Sequence, residues 1–227
     1  VERVVLVHGS VGTGTVTWSA QALLPARYEL VVVERSGYPP NPPQERIDFD
    51  KQAGELREIL RPGDHLVGHS YGGVIALLAA PGVGLRSLTV NEPPAFSLAR
   101  GDPAVEEFLA KMEQAPTEPR AYLEYFLPLV GVSMQLPDRL APQLEAATRA
   151  AMVERPPHEA EIPLEQLAAE LFPKLVVTGD HNPALDAVAD VLERELPAQR
   201  VVLPGAGHNL PRAPGYNNTL VRFLEAA

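Results

Sequence analysis

Short runs of aliphatic and β-branched residues recur along the chain and end in glycine, histidine or an acid. Val4–His8, Leu30–Glu34, His65–His69 and Leu85–Asn91 are apolar at successive positions, the pattern of strands covered on both faces. Between them, Asp48–Leu60 places Phe49, Ala53, Leu56 and Leu60 on one helical face. Tyr71–Ala80 is small and apolar nearly all round, which predicts a helix buried against a sheet. The rhythm resumes near the end of the chain. Lys174–Thr178 and Arg200–Leu203 read as strands, and Asn217–Ala227 as a closing helix. Pro183–Leu196 carries Leu185, Val188, Ala189, Leu192 and Leu196 on one stripe, with Pro183 in its first turn. Strand–helix alternation of this kind predicts an α/β fold, a mostly parallel six-stranded sheet flanked by helices on both faces.

The middle of the chain breaks the rhythm. Residues 93–172 hold no convincing strand and are rich in proline, with amphipathic pieces such as Val105/Phe108/Leu109/Met112 and Leu140/Leu144/Ala147. This predicts a helical insertion between the fourth and fifth strands, with prolines setting the helix boundaries. The sheet resumes afterwards, so residues 1–227 read as a single domain with the insertion inside it. Tyr38-Pro39-Pro40-Asn41-Pro42-Pro43 reads as a stiff loop rather than a proline-rich ligand.

Composition narrows the chemistry. The 227 residues contain no cysteine, which excludes a disulfide framework, a thiolate metal site and a catalytic thiol. The net charge of −10 argues against nucleic acid as a partner. No apolar run approaches a membrane span, and Val4–Val7 is too short for a signal-peptide core. A cytoplasmic, soluble protein is expected, although a chain opening on Val1 leaves room for a removed leader or tag. No histidine pair has metal-ligand spacing with a third ligand, so neither a metal nor a cofactor is expected.

Three glycine-framed motifs follow strands. Gly68-His69-Ser70-Tyr71-Gly72-Gly73 is a G-x-S-x-G between an apolar strand and a small-residue helix. A nucleophile on so sharp a turn needs glycines two residues away on either side so that strand and helix can approach. The helix N-terminus then aims backbone N–H groups at an oxyanion. Val7-His8-Gly9-Ser10 ends the first strand and offers the Ser10 amide as a second donor beside that of Tyr71. Gly205-Ala206-Gly207-His208 follows the last strand, where its loop can lower His208 onto Ser70 as general base. A competing reading of the first loop, Gly9-x-x-Gly12-x-Gly14 with Glu34 ending the next strand, is a dinucleotide site. Trp18 and Pro25 interrupt the helix that site requires, and no tyrosine has a lysine four residues later.

Together these motifs resemble the α/β-hydrolase superfamily over nearly the whole chain, with residues 93–172 similar to that family's helical cap. The first strand would correspond to the family's third, making this a minimal core. The resemblance implies a serine hydrolase acting on a small to medium ester, thioester or lactone through an acyl-enzyme, with a small acyl compound as its partner. The oligomeric state is left open. The sequence departs from the family at the acid. Where an aspartate is usual, Gly179-Asp180-His181-Asn182-Pro183 has Asn182, and an amide cannot stabilise an imidazolium. Glu92, in Asn91-Glu92-Pro93-Pro94, and Asp180 are the alternatives, with Glu92 preferred because some family members carry the acid at that strand end. Gly9, His69, Tyr122 and Phe126 are expected around the substrate. His8 is expected to pack under the Ser10 loop, and His65, His158 and His181 to be surface or loop residues. C–C bond hydrolysis by the same residues and a non-catalytic ligand-binding module remain alternatives.

Overall fold

A computed structural model describes residues 1–227. Six strands form one sheet: β1 (Glu2–Val7), β2 (Tyr28–Val33), β3 (His65–His69), β4 (Ser87–Asn91), β5 (Lys174–Thr178) and β6 (Gln199–Val202). Their order is β2-β1-β3-β4-β5-β6, and every neighbouring pair is parallel. The chain steps outward from β1 to β2, then returns across β1 to build the other half. The C-terminal ends of β1 and β3 therefore face a crevice at the point of reversal, where open parallel sheets bind ligands.

Alternation within the strands divides the core. Val5, Val7, Leu66, Leu88, Val90 and Val176 join one apolar cluster, and Val4, Leu6, Val67, Leu175 and Val177 join the cluster on the opposite face. The first face is covered by α2 (Phe49–Ile59), α3 (Tyr71–Ala79) and α8 (Pro183–Glu195), and the second by α9 (Tyr216–Ala226) together with Trp18. The short α1 (Gly14–Thr17) follows β1. Side-chain caps set the start of two helices. The Asp48 carboxylate accepts from Asp50 N at 2.9 Å ahead of α2, and Asn182 Oδ1 accepts from Ala184 N at 3.0 Å ahead of α8.

Between β4 and β5 lie α4 (Pro103–Met112), α5 (Pro119–Leu129), α6 (Pro142–Met152) and α7 (Leu164–Ala169). Prolines open the first three, where the missing N–H has no helical partner to lose. Pro128 departs from the boundary rule, since it sits inside α5, one residue before the end. Residues just beyond α6 pair with the main body. Ile47 N donates to Val153 O at 2.9 Å and Arg155 N to Ile47 O at 2.7 Å, an isolated parallel bridge that the hydropathy pattern gave no sign of. His65 corrects its expected surface placement: it is fully buried within β3, with Nδ1 2.7 Å from Ser87 Oγ. No helix is long and apolar enough to cross a membrane.

The turn from β3 to α3 depends on glycine. A Cβ on Gly72 would lie 2.3 Å from His8 O and 2.5 Å from Val7 O, and one on Gly68 would lie 2.5 Å from Gly72 O. These obstacles are backbone atoms of α3 and of the end of β1 with the residue after it, so relief requires the helix to move. Gly72→Ala is expected to lose about 1–3 kcal/mol or more in urea unfolding. Gly54→Ala, on the exposed side of α2 with nothing within 4 Å, is expected to gain about 0.5–1 kcal/mol. Equal effects at the two positions would contradict this packing account.

Candidate active site

Ser70 occupies the tip between β3 and α3 with φ 53° and ψ −127°, a conformation rare for residues with side chains. It is held there by Ser70 N donating to Asn91 O at 2.9 Å and by Gly73 N donating to Ser70 O at 2.7 Å. The hydroxyl borders a cavity of about 350 Å³, in the range of small-molecule sites, and His208 borders it too. Neither Ser70 Oγ nor His208 Nε2 is hydrogen-bonded to a protein group.

The other ring nitrogen of His208 is committed. Nδ1 lies 2.6 Å from Glu92 Oε2, while Glu92 Oε1 accepts from Gly179 N at 2.6 Å. Burial pushes the Glu92 carboxyl up, but hydrogen bonds from His181 and His208 outweigh it and bring the pKa down to about 2, against an ordinary 4.5. An ionised carboxylate only accepts, so Nδ1 carries the proton. In the neutral ring, Nε2 then keeps its lone pair. Gly179 and Gly207 let this contact form, because a Cβ on Gly179 would stand 2.1 Å from Gly207 O.

The two candidate acids differ in where they sit. Glu92 reaches His208, whereas Asp180 is exposed and makes no side-chain hydrogen bond. Asn182 caps α8 and donates through Nδ2 to Leu129 O at 3.0 Å. His181 lies in the loop after β5, as expected, but is not idle there. Its Nε2 lies 2.9 Å from the same Glu92 oxygen, giving that carboxylate a third donor. Glu92, His181 and His208 offer ligand atoms within 4.8 Å of one another, the spacing of a metal cluster. Each of the converging nitrogens is already used on Glu92, which leaves hydrogen bonding as a full account of the group.

On the opposite wall, Ser10 and Tyr71 both line the cavity, and the backbone N–H of neither has a partner within the protein. The Gly9–Ser10 peptide is oriented from behind. Its carbonyl, Gly9 O, lies 2.8 Å from His8 Nδ1 and accepts from Arg35 Nη1 at 3.0 Å. Because the peptide is planar and trans, fixing that carbonyl fixes the direction of the Ser10 N–H. Burial and the Arg35 charge hold the pKa of His8 well below the ordinary range, so it serves here as a neutral ring.

Tyr122 and Phe126 stack at 5.4 Å and line the cavity as expected, with Phe96, Phe108, Leu109 and Met112. His158, read as a surface residue, lines it too. Gly9 and His69 are corrections. Gly9 lies against Ser70 beside the wall, where a Cβ would come within 2.7 Å of Ser70 Cβ. His69 is not on the cavity wall; its ring lies 4.9 Å from that of His208 and 6.4 Å from Trp18. Burial and the adjacent His208 bring its pKa down to about 3.

A buried network around Glu154 had no counterpart in the motifs. Arg35 Nη2 lies 2.6 Å from Glu154 Oε1, Tyr38 OH donates to the same oxygen at 2.7 Å, and Ser10 Oγ donates to Oε2 at 2.5 Å. Arg35 lies two residues past the end of β2, a position that could have drawn notice; Glu154 lies in a segment without useful periodicity. The dinucleotide reading meets its own obstacle. The Glu34 carboxylate accepts from Gly14 N at 2.7 Å and Thr15 N at 2.8 Å, filling the place a pyrophosphate would take.

The alpha/beta hydrolase family model matches residues 4–215, and the chain belongs to that family. Solved structures agree in fold. MenH from S. aureus is 15% identical with a TM-score of 0.74, covering 99% of this chain and 94% of its own. An alpha/beta hydrolase from Sphaerobacter thermophilus is 25% identical with a TM-score of 0.66, covering 98% and 92%. The carboxylesterase CesB from Bacillus subtilis is 19% identical with a TM-score of 0.67, covering 100% and 84%. No curated protein sequence matches the chain.

The depressed Glu92 pKa has a measurable signature. A carboxylate whose folded pKa lies below its unfolded one adds stability above the unfolded value, and loses it as pH falls through the folded value. The stability gap between wild type and Glu92→Gln is expected to be widest near pH 6 and to narrow from about pH 4.5 towards pH 2. Urea unfolding between pH 6 and 3 measures it, and a gap independent of pH would contradict the assignment.

Proposed function

We propose that the protein is a serine hydrolase of small to medium carboxylic esters, thioesters or lactones. The observation that carries this reading is the Glu92–His208 contact at 2.6 Å, on an imidazole that shares a cavity with the strained Ser70. Ser70 Oγ attacks the carbonyl carbon and its proton passes to His208 Nε2. The carbonyl oxygen gains negative charge and takes hydrogen bonds from the Ser10 and Tyr71 amides. The C–O bond, or C–S bond in a thioester, then breaks as His208 returns the proton to the leaving group. Water attacks the acyl-enzyme with His208 again as base, releasing the acid and restoring Ser70. Glu92 holds the imidazole in the required tautomer and stabilises its charged form. A loose Ser70–His208 pair without substrate is compatible with this scheme, since such contacts tighten in the substrate complex.

Residues 93–172 act as the cap, closing the apolar side of the cavity with Phe96, Phe108, Tyr122 and Phe126. The non-catalytic alternative drew its support from Asn182. That support weakens once a carboxylate reaches His208 from another strand.

The test is a p-nitrophenyl ester series of graded chain length with a fluorophosphonate probe. Ser70→Ala is expected to abolish both turnover and labelling. Glu92→Gln is expected to lower kcat by about 10³–10⁴-fold, while Asp180→Asn leaves kcat/KM unchanged. A folded wild-type protein that is unlabelled and inert toward every ester contradicts the reading. Full activity in Glu92→Gln contradicts the assigned acid.

A further inference from the structure

Resting on the hydrolase reading, we infer that Glu154 is a specificity-determining residue that makes the site select against acyl groups carrying a carboxylate or phosphate. The cavity wall holds no Lys or Arg. It does hold two carboxylates, those of Glu154 and Glu113. Anion recognition ordinarily uses a guanidinium or ammonium, and binding an anion without one leaves a desolvated charge unpaired.

Cations stand close behind the wall, but each is engaged. Arg35 is 2% exposed at its side chain and paired with Glu154 at 2.6 Å. Its Nε and Nη2 also donate to Gln52 Oε1, and Nη1 to Gly9 O. Arg155 is paired with Asp50 at 2.8 Å and Glu159 at 2.8 Å, and Lys111 with Glu107 at 2.6 Å. Glu154 thus spends the buried guanidinium that lies behind Ser10. Its own side chain is 7% exposed and lines the cavity while Arg35 does not, so the ion pair presents its acidic end to the substrate and keeps its basic end behind the wall. The remaining lining is largely aliphatic and aromatic, which suits an uncharged acyl chain.

An apolar cavity alone rejects any charge, so the experiment separates sign from polarity. Three p-nitrophenyl esters of equal acyl length are compared, ending in methyl (hexanoyl), carboxylate (adipoyl) and trimethylammonium (5-trimethylammoniopentanoyl). Wild type is expected to show the highest kcat/KM for hexanoyl, with the carboxylate ester at least tenfold below the cationic one. In Glu154→Gln, which leaves the Arg35 charge unpaired, the hexanoyl-to-adipoyl ratio is expected to fall at least tenfold. A ratio is read because loss of the Ser10 contact lowers all three rates together. Equal rejection of cation and anion by wild type overturns the inference, and that comparison stands if the variant fails to fold. An unchanged ratio in folded Glu154→Gln also overturns it. Fluorophosphonate labelling of the same preparation separates the failures. A labelled protein without charge discrimination defeats only this inference, whereas an unlabelled, inert one defeats the hydrolase reading and this inference with it.

Discussion

One buried carboxylate holds the site's long-range geometry. Glu92 is 2% exposed, and an unpaired charge at that depth would cost several kcal/mol. Three donors compensate it: Gly179 N after β5, His181 in the same loop, and His208 after β6. The carboxylate therefore ties the end of its own strand, β4, to the two loops beyond it. Its backbone is also constrained. Glu92 has φ 43°, a conformation that costs a side-chain-bearing residue about 1–3 kcal/mol. The bond from Glu92 N to Val177 O at 3.0 Å holds it there. Without that turn, the side chain of a residue following Asn91 would not be aimed along the strand ends toward His208.

The other half of the site rests on backbone contact rather than charge. Gly68 and Gly72 let α3 touch β1 and β3 with no side chain between, which brings Ser70 beside Gly9. The Gly9 carbonyl is gripped from the far side by Arg35 and His8, so the neighbouring amide faces the cavity. Both proposed oxyanion donors thus lie at the point where the strand order reverses. Arg35 contributes twice, once by orienting a peptide and once by neutralising Glu154. Removing one member of such a buried pair typically costs about 3–5 kcal/mol, so the Ser10 loop and the segment after α6 are stabilised together.

Much of this was legible in the sequence, for identifiable reasons. Strand and helix periods are local properties, and the G-x-S-x-G turn is set by residues within a few positions of Ser70. Tyr122 and Phe126 stand four apart on α5, so their shared face could be read directly. The acid could not be fixed in the same way. Glu92 and Asp180 both follow strands, and the difference between them is a contact across 116 residues that only Glu92 makes. Gly9 and His69 adjoin residues of the cavity wall in sequence, yet Gly9 lies against Ser70 and the His69 ring against His208 and Trp18. The Glu154 network is further removed, since its contacts to Arg35, Tyr38 and Ser10 span 119, 116 and 144 residues. No window along the chain contains both partners.

The asparagine at the family's usual acid position now has a structural account. β4 and β5 are adjacent and in register, with Asn91 opposite Val177. A carboxylate leaving the end of β4 reaches the same imidazole as one leaving the loop after β5, and glutamate's additional methylene helps span the gap. Position 182 is then released from serving His208, and its amide does two things a carboxylate could not do together. Its oxygen caps α8, and its Nδ2 donates to the Leu129 carbonyl at the end of α5. A carboxylate has no hydrogen to give to Leu129 O and would repel it at that distance. With the carboxylate that meets His208 on β4, the loop after β5 fastens the helical segment that carries Tyr122 and Phe126, joining the position of His208 to the shape of the cavity through two consecutive residues, His181 and Asn182.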